Sequence, residues 1–533
     1  MLTLITLLAC NGGGDDTGFT TIDTQTETGD QQTWDPIYDE IAEALQADLA
    51  SNTAAGISMA ILSGDEIVFS AAFGSAHPTE DQPLSTDTLF QIGSTTKMFT
   101  SAALLQLVED DVLDLSTTLA EAYPDSEFAL DETWNDSITT QHLMTHQGGF
   151  YDYFDWSSSA EDSDLADWHE TVFFPHLWVM ADPGSFWNYS NPNFSLAGLI
   201  TEHHLETPYP DLMAANVFEP LGMGRTYQRK RDVKSDGDYA LGLGYYFNAM
   251  GEMQEGPVLM VDVPDTASAR PAGSGTWSTP TQMMEMARFL LNGDGGIVSD
   301  ETRDAMTSIQ IPLDTAGDWG YGYGLFVGDG IYLSNGYQEI NLINHGGNTL
   351  SYSSAFWVLP DHDLAFSILI SGYGADVNQT VVTTLETLLE LGEFEDAPEV
   401  SFDLERLDDH VGVYNDPYNV GEMIVTREGD DLYVDMPLLN DLGFVVTSKM
   451  QPFSDTVFYL ELDGAWYDMT FHGEPSTPTK WIANRAFVVT REGEEDSEGT
   501  SPPMANHTPS RVEIESRLRE ASLPRTPLFL PAP

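Results

Sequence analysis

The sequence predicts an α+β protein: an antiparallel sheet flanked by helices, a helical subdomain beside it, and a small all-β domain at the C-terminal end. Three observations predict this. Strand-like runs lie at both ends of residues 35–391, the stretch between them is helical and rich in loops, and beyond a polar linker the chain reads as successive hairpins. Strands at both ends imply one sheet assembled from N- and C-terminal pieces, with the helical insert packed against it.

The elements follow in order. Asp35-Pro36 is a helix start, and Ile37, Ile41, Leu45 and Leu49 recur every four residues as an amphipathic stripe. GISMAILSGDEIVFSAAFG reads as two strands joined by a turn at Ser63-Gly64-Asp65. Residues 95–109 form a helix with Met98, Ala102, Leu105 and Val108 on one face. Residues 115–300 mix helices with loops rich in Trp, Tyr, Asp and Pro. Strand character returns at 340–347, 352–360 and 364–371, and a helix over 376–391 closes the region. GEFEDAPEV, residues 392–400, is a linker. Residues 401–492 hold hairpins with Gly-Asp or Asp-Gly turns, the mark of a separate all-β domain, barrel-like or sandwich. The acidic, Pro-rich tail 493–533 is expected to be disordered, with a short helix near Arg511–Ala521.

Charge narrows the classes of function. Nineteen Lys and Arg stand against 86 Asp and Glu, a formal net charge of −67. Such a surface repels nucleic acid phosphates and anionic lipid and suits an extracellular or salty setting. The single cysteine, Cys10, allows no intrachain disulfide. It follows Leu7-Leu8-Ala9 at the end of an apolar opening, so residues 1–10 resemble a bacterial lipoprotein signal whose cysteine is lipidated, although no Lys or Arg precedes it. Residues 11–34, rich in Gly, Thr, Asp and Gln, read as a spacer between anchor and domain. No other stretch has the ~18 apolar residues of a membrane span, so the membrane enters only through this lipid anchor. There is no His-Glu-x-x-His, one cysteine builds no thiolate site, and EDSDLADWHE lacks calcium-loop spacing; no metal and no cofactor are expected.

The sharpest local signal is Ser94-Thr95-Thr96-Lys97 at the start of the 95–109 helix. A serine there meets backbone N–H groups and the helix dipole, which favour negative charge. Lys97, three residues on, shares its face and can reach the serine oxygen. A lysine buried by its neighbours has a lowered pKa and can take a proton. Of five lysines, only Lys97 has a serine three residues before it.

The surrounding segment, LFQIGSTTKMFTSAALLQLVEDDVLDL, resembles the first motif of the serine β-lactamase and penicillin-binding-protein superfamily, in its class C-like branch. ITTQHLMTHQGGF (138–150), PGSFWNYSNPNFSLAGLI (183–200), FEPLGMGRT (218–226) and NHGGN (344–348) resemble further signatures of that branch, in its order. The resemblance spans about residues 35–390 and implies a β-lactamase/transpeptidase-like fold with the cleft between sheet and helical subdomain. It implies Ser94 as nucleophile and Lys97 and Tyr189 as its proton-handling partners, with the choice between the two left open. It implies that Asn191 orients Lys97 or holds a substrate amide. The oxyanion hole falls to backbone N–H groups of Ser94 and Asn348, after Gly346-Gly347, and Gly347 would let a substrate approach the strand. Many β-lactamases carry Lys in the third motif where this chain has His345, a departure that resembles the peptidase and esterase members. The expected activity is therefore that of a D,D-peptidase-like or esterase-type serine hydrolase, on an ester, a D-amino-acid amide or a β-lactam. The alternatives are a β-lactamase and, from another class, a catalytically silent binding or sensor protein. The resemblance also implies a bacterial envelope location, periplasmic or at the cell surface. His142 and His146 are expected to position loops, and the aromatic run 150–156 either lines the cleft or packs a loop.

Overall fold

Alternation of apolar side chains along the strands decides the architecture, because each central strand feeds two cores at once. In the computed structural model the described residues are 35–493 except 125–135, 153–158, 178, 245–257, 260–263, 314–317, 335, 390, 392–399, 401 and 417–418, together with 511, 514, 515 and 518. The main sheet is antiparallel: β1 (Gly56–Ser63), β2 (Glu66–Gly74), β3 (Ile311–Pro312), β4 (Trp319–Tyr321), β5 (Phe326–Leu333), β6 (Gly336–Asn348), β7 (Ser353–Leu359) and β8 (Leu364–Ile370), in spatial order β2-β1-β8-β7-β6-β5-β4-β3. N- and C-terminal strands thus pair side by side, as expected, with Ile57 opposite Ile370 and Ser63 opposite Leu364.

On β1, Ile57, Met59 and Ile61 enter one core while Ala60 and Leu62 enter the other. The first core lies under α1 (Asp39–Ser51) and α5 (Asn378–Leu388), which pack on each other through Ile41, Leu45, Val381 and Leu385. The second lies under α4 (Pro280–Asn292), which packs on β1, β7 and β8 through Met283, Met284 and Ala287. Thr279 caps α4 by accepting from Gln282 N, Pro280 fills the first turn, and Gly293 at φ +78° ends it. The helical region holds α2 (Lys97–Glu109) packed against α3 (Asn191–Leu205). Ile37 departs from the expected stripe: it sits in a short 3-10 turn ahead of α1 and is 49% exposed, because the helical phase begins only at Asp39.

The C-terminal domain is a closed sheet: β9 (Gly412–Asp416), β10 (Gly421–Glu428), β11 (Asp431–Asp435), β12 (Gln451–Pro452), β13 (Val457–Leu462), β14 (Ala465–His472), β15 (Trp481–Asn484) and β16 (Phe487–Arg491), in order β11-β10-β9-β16-β15-β14-β13-β12. Val434 N donates to Ser448 O and Met450 N to Leu432 O, which joins β11 to the run leading into β12 and closes a barrel. Its interior is filled by side chains such as Met423, Leu460, Met469 and Ile482. Within the tail expected to be disordered, Arg511, Ile514, Glu515 and Leu518 are helical, and Ile514 and Leu518, one helical turn apart, are buried in this core. Residues 1–34, with Cys10, and nearly all of the linker 392–400 lie outside the described residues.

The barrel meets the first domain through Trp481, Ala483 and Val488 against Tyr151, Met180 and Ala181. Phe186 stacks on His472 with centroids 3.9 Å apart, and Lys480 Nζ lies 3.3 Å from Asp182. Among the described residues no helix is long and apolar enough to cross a membrane.

Candidate active site

The turn before α2 carries the candidate nucleophile. Residues Gly93–Thr96 form a 3-10 turn, and Ser94 is the one residue between Gln91 and Thr100 that keeps partial exposure. Gly93, at φ +57°, turns the chain, and a Cβ there would come within 2.7 Å of Asn348 N. A Cβ on Gly347 would lie 2.0 Å from Ile92 O and 2.9 Å from Ser94 N. What approaches Gly347 is therefore the serine turn itself, and not only a substrate as its position in the motif implied. The Ser354 hydroxyl donates to Ile92 O at 2.7 Å and lies 2.8 Å from Thr95 Oγ1, fastening the turn to β7.

Lys97 is fully buried, with Nζ 3.0 Å from Ser94 Oγ, 2.8 Å from Asn191 Oδ1 and 2.6 Å from Ala272 O. None of the three carries a formal charge. Burial pushes the ammonium well below its ordinary pKa; the positive charge of Arg485 adds to this and Asp152 opposes it. A neutral amine has two N–H donors and one lone pair. The ammonium donates to all three oxygens; once it loses a proton, the Ala272 carbonyl and the Asn191 amide oxygen, which can only accept, hold both remaining donors and the lone pair faces the serine hydroxyl.

The orientation of Asn191 is itself fixed. As the first residue of α3 it donates from both backbone N and Nδ2 to Asp152 Oδ1, at 2.8 and 3.0 Å, which turns its amide oxygen toward Lys97. Tyr189 is 6% exposed; Lys97 Nζ lies 4.8 Å from its ring centroid, the Arg485 guanidinium carbon 4.4 Å, and the His146 ring 4.1 Å. His146 Nδ1 sits 3.1 Å from both N and O of Ser190, so it positions the segment carrying Tyr189; His142 caps its own short helix at Thr139.

His345 is buried on β6, with Nε2 3.1 Å from the Tyr321 hydroxyl. Burial, with Lys97 and Arg485 nearby, pushes its pKa down to about 3, partly opposed by its contact with Gly346 O. It is therefore neutral at physiological pH. Gly346 and Asn348 are exposed on the same strand, and beyond Asn344 β6 has no partner on its β5 side among the described residues. Asn348 Oδ1 accepts from Ser353 Oγ.

Sequence reasoning missed four groups. Asp152 lies in the aromatic run considered for the cleft. Ala272 ends the turn Ala267–Ala272, held by Arg270, whose Nε and Nη2 donate to Asp265 and Nη1 to Asp162, each near 3 Å. Tyr321 comes from β4. Arg485 comes from the barrel, its Nε 3.3 Å from Asp152 Oδ2. The one sequence cue to Arg485 was scarcity: a cation in a chain with 19 Lys and Arg.

The sequence matches the family described as Beta-lactamase over residues 41–388. The chain belongs to that family. Within the wider group of penicillin-binding-protein and β-lactamase-related serine hydrolases, this Beta-lactamase family chain is 24% identical to penicillin-binding protein 4* of Bacillus subtilis (strain 168) over 456 residues, covering 81% of this chain and 92% of the relative. It is 25% identical to the unguisins hydrolase ungD' of Aspergillus campestris over 63% of this chain and 61% of that protein. Among solved structures its fold is similar to that of SurE, with a TM-score of 0.62 at 19% identity over 85% of this chain and 99% of that one. It is also similar to the octameric penicillin-binding protein homologue from Pyrococcus abyssi, with a TM-score of 0.56 at 22% identity over 85% and 98%. Both likenesses extend beyond the family match of residues 41–388.

Proposed function

We propose that the protein is a serine hydrolase working through an acyl-enzyme on Ser94, with D,D-peptidase-like or esterase activity. The observation that carries this reading is the buried, neutral-leaning Lys97 amine whose third ligand is the Ser94 hydroxyl at 3.0 Å. The Ser94 oxygen attacks the substrate carbonyl carbon while its proton passes to the Lys97–Tyr189 pair. The oxyanion is received by N–H groups of Ser94 and Asn348. Collapse breaks the bond to the amine or alkoxide, which leaves with that proton; water then attacks the ester carbonyl and gives a proton to the same pair, which returns it to the Ser94 oxygen as the acyl–oxygen bond breaks and the carboxylic acid leaves.

Esters and D-amino-acid amides, which need carry no carboxylate at that end, rank above β-lactams as substrates because His345 is neutral and offers no charge to a lactam carboxylate. A silent binding protein would have no need to keep Lys97 in contact with both Ser94 and Asn191. Intact-mass analysis after incubation with a reactive acyl ester and, separately, a penicillin tests the reading. The wild type gains the acyl mass or consumes the reagent, and Ser94→Ala does neither, with turnover down at least ~10³-fold. Folded wild type that neither reagent modifies, or an adduct that survives in Ser94→Ala, sinks it; a preference for penicillin would favour the β-lactamase alternative.

An envelope location through lipidated Cys10 belongs to the same reading and rests on the Leu7-Leu8-Ala9-Cys10 sequence. Cys10→Ser should move the protein from the membrane fraction to the soluble one in a bacterial host. Equal partition of both proteins would remove the anchor from the proposal.

A further inference from the structure

The barrel contributes a side chain to the candidate site. Six Lys and Arg lie in residues 401–492, and two of them reach across to the first domain. Lys480 pairs with Asp182 at the domain contact, a fastening role. Arg485 instead goes to the reaction centre. It occupies the β15–β16 turn, where Asn484 pairs with Phe487, Asn484 Oδ1 accepts from Ala486 N at 3.0 Å and Asn484 Nδ2 donates to Asp468 O at 2.7 Å. The turn is thus held on both sides, and its arginine is directed at Tyr189 and Asp152.

From there an unbroken series of contacts reaches the serine. Arg485 meets Asp152, Asp152 holds Asn191 by two N–H groups, Asn191 accepts from Lys97, and Lys97 meets Ser94. We propose that Arg485 is a positioning residue: the barrel hairpin supplies a permanent cation that keeps the Lys97–Tyr189 pair in its proton-accepting form and holds Asp152 and Asn191 in register. This rests on the serine-hydrolase reading above and adds that the C-terminal domain is part of the site. A guanidinium cannot lose its proton at working pH, so its effect is constant. A cation beside Lys97 disfavours a second positive charge there, and a cation at the Tyr189 ring favours a phenolate; both act in the same direction. The other groups facing Lys97 are Asp152, which opposes Arg485, the neutral rings of His146 and His345, and Tyr189 itself. Arg485 is the one fixed cation among them.

The test replaces Arg485 by Lys, Gln and Glu, setting the charge at the hairpin to +1, 0 and −1. Lys97 is titrated directly by NMR of ¹³C-labelled lysine, which the chain's five lysines make tractable, and kcat/KM on the acylating ester is followed against pH. Arg485→Gln should raise the Lys97 midpoint and the acid limb of kcat/KM by roughly one to two pH units. Arg485→Glu should raise them further, while Arg485→Lys stays within a few tenths of wild type. Any two variants that fold suffice to read the order. A Lys97 midpoint that ignores the charge at 485, or a rate loss equal at every pH, overturns the proposal. The NMR titration needs no turnover, so it decides the matter even in Ser94→Ala protein. Retained turnover in Ser94→Ala would defeat the serine-hydrolase reading separately.

Discussion

Two buried cations touch the same six-residue turn, Ala267–Ala272, and meet opposite surroundings. Arg270 is met by carboxylates that balance its guanidinium: Asp265 at 2.9 and 3.0 Å and Asp162 at 2.9 Å, with the Ala160 carbonyl at 2.6 Å. Its neighbour Arg229 joins Asp162 and Asp211 in the same cluster. Lys97, which touches the far end of the turn Ala267–Ala272, hydrogen-bonds a hydroxyl, an amide oxygen and the Ala272 carbonyl. The turn Ala267–Ala272 links them, since Arg270 anchors it and Ala272 presents its carbonyl to Lys97. The contrast lies in the side chain and its ligands together: carboxylates compensate the guanidinium of Arg270, whereas Lys97, whose amine can give up a proton, is buried among groups of no formal charge. A compensated arginine builds a scaffold, and an uncompensated lysine is left able to accept a proton.

Exchanging each cation for methionine breaks the comparison in two different observables. Lys97→Met should cut acylation by ~10²–10⁴-fold, the range for a lost general base. Its stability cost should be small, because a desolvated amine leaves with it. Arg270→Met should cost about 3–5 kcal/mol in denaturant unfolding, because the buried carboxylate of Asp265 loses its guanidinium, while Asp162 keeps Arg229. Equal stability losses from the two substitutions would mean that the distinction between scaffold cation and base is wrong.

How much of this was legible in the sequence follows from distance along the chain. Ser94 and Lys97 share one helical turn, so their approach could be read from spacing alone. The strands 56–63 and 364–370 were legible because alternation feeds two cores, and their pairing followed from the helical insert between them. The ligands that set Lys97's state were not legible as a set. Ala272 lies 175 residues from Lys97, and Arg485 lies 333 residues from Asp152. Asn191 was found only because a resemblance marked it. His345 was legible as a departure from lysine, but its neutrality depends on burial against Tyr321, which no local pattern encodes. The tail was half legible: a short helix near Arg511–Ala521 was expected, while the burial of Ile514 and Leu518, among its described residues, needed the barrel core.

A smaller effect sharpens the comparison through acid. Burial lowers the pKa of His345 and His472 to about 3 and that of His169 to about 4, and it sets His146 well below its usual value. In the unfolded chain each protonates near ~6.5. Between that value and the folded one the unfolded state binds more protons. Their contribution is therefore complete above about pH 6.5 and is lost as pH falls toward 3–4, by at most about 1.4 kcal/mol per pH unit for each histidine. The arginine cluster answers later. Burial alone would raise Asp162, but hydrogen bonds and charge from Arg229, with the charge of Arg270, outweigh it and lower its pKa; Arg229 lowers Asp211 likewise. Those carboxylates hold their contribution above the ordinary carboxylate range near ~3.9 and lose it only as pH falls through their lower folded values. Acid should thus loosen the cleft and the barrel contact before the cluster. Hydrogen exchange at pH 5 against pH 7, corrected for intrinsic rates, should accelerate over 142–152, 340–348 and 470–484 while 265–272 stays protected. If 265–272 loosens first, the Arg270 carboxylates rather than the neutral histidines control the acid response, and the division between the two regions fails.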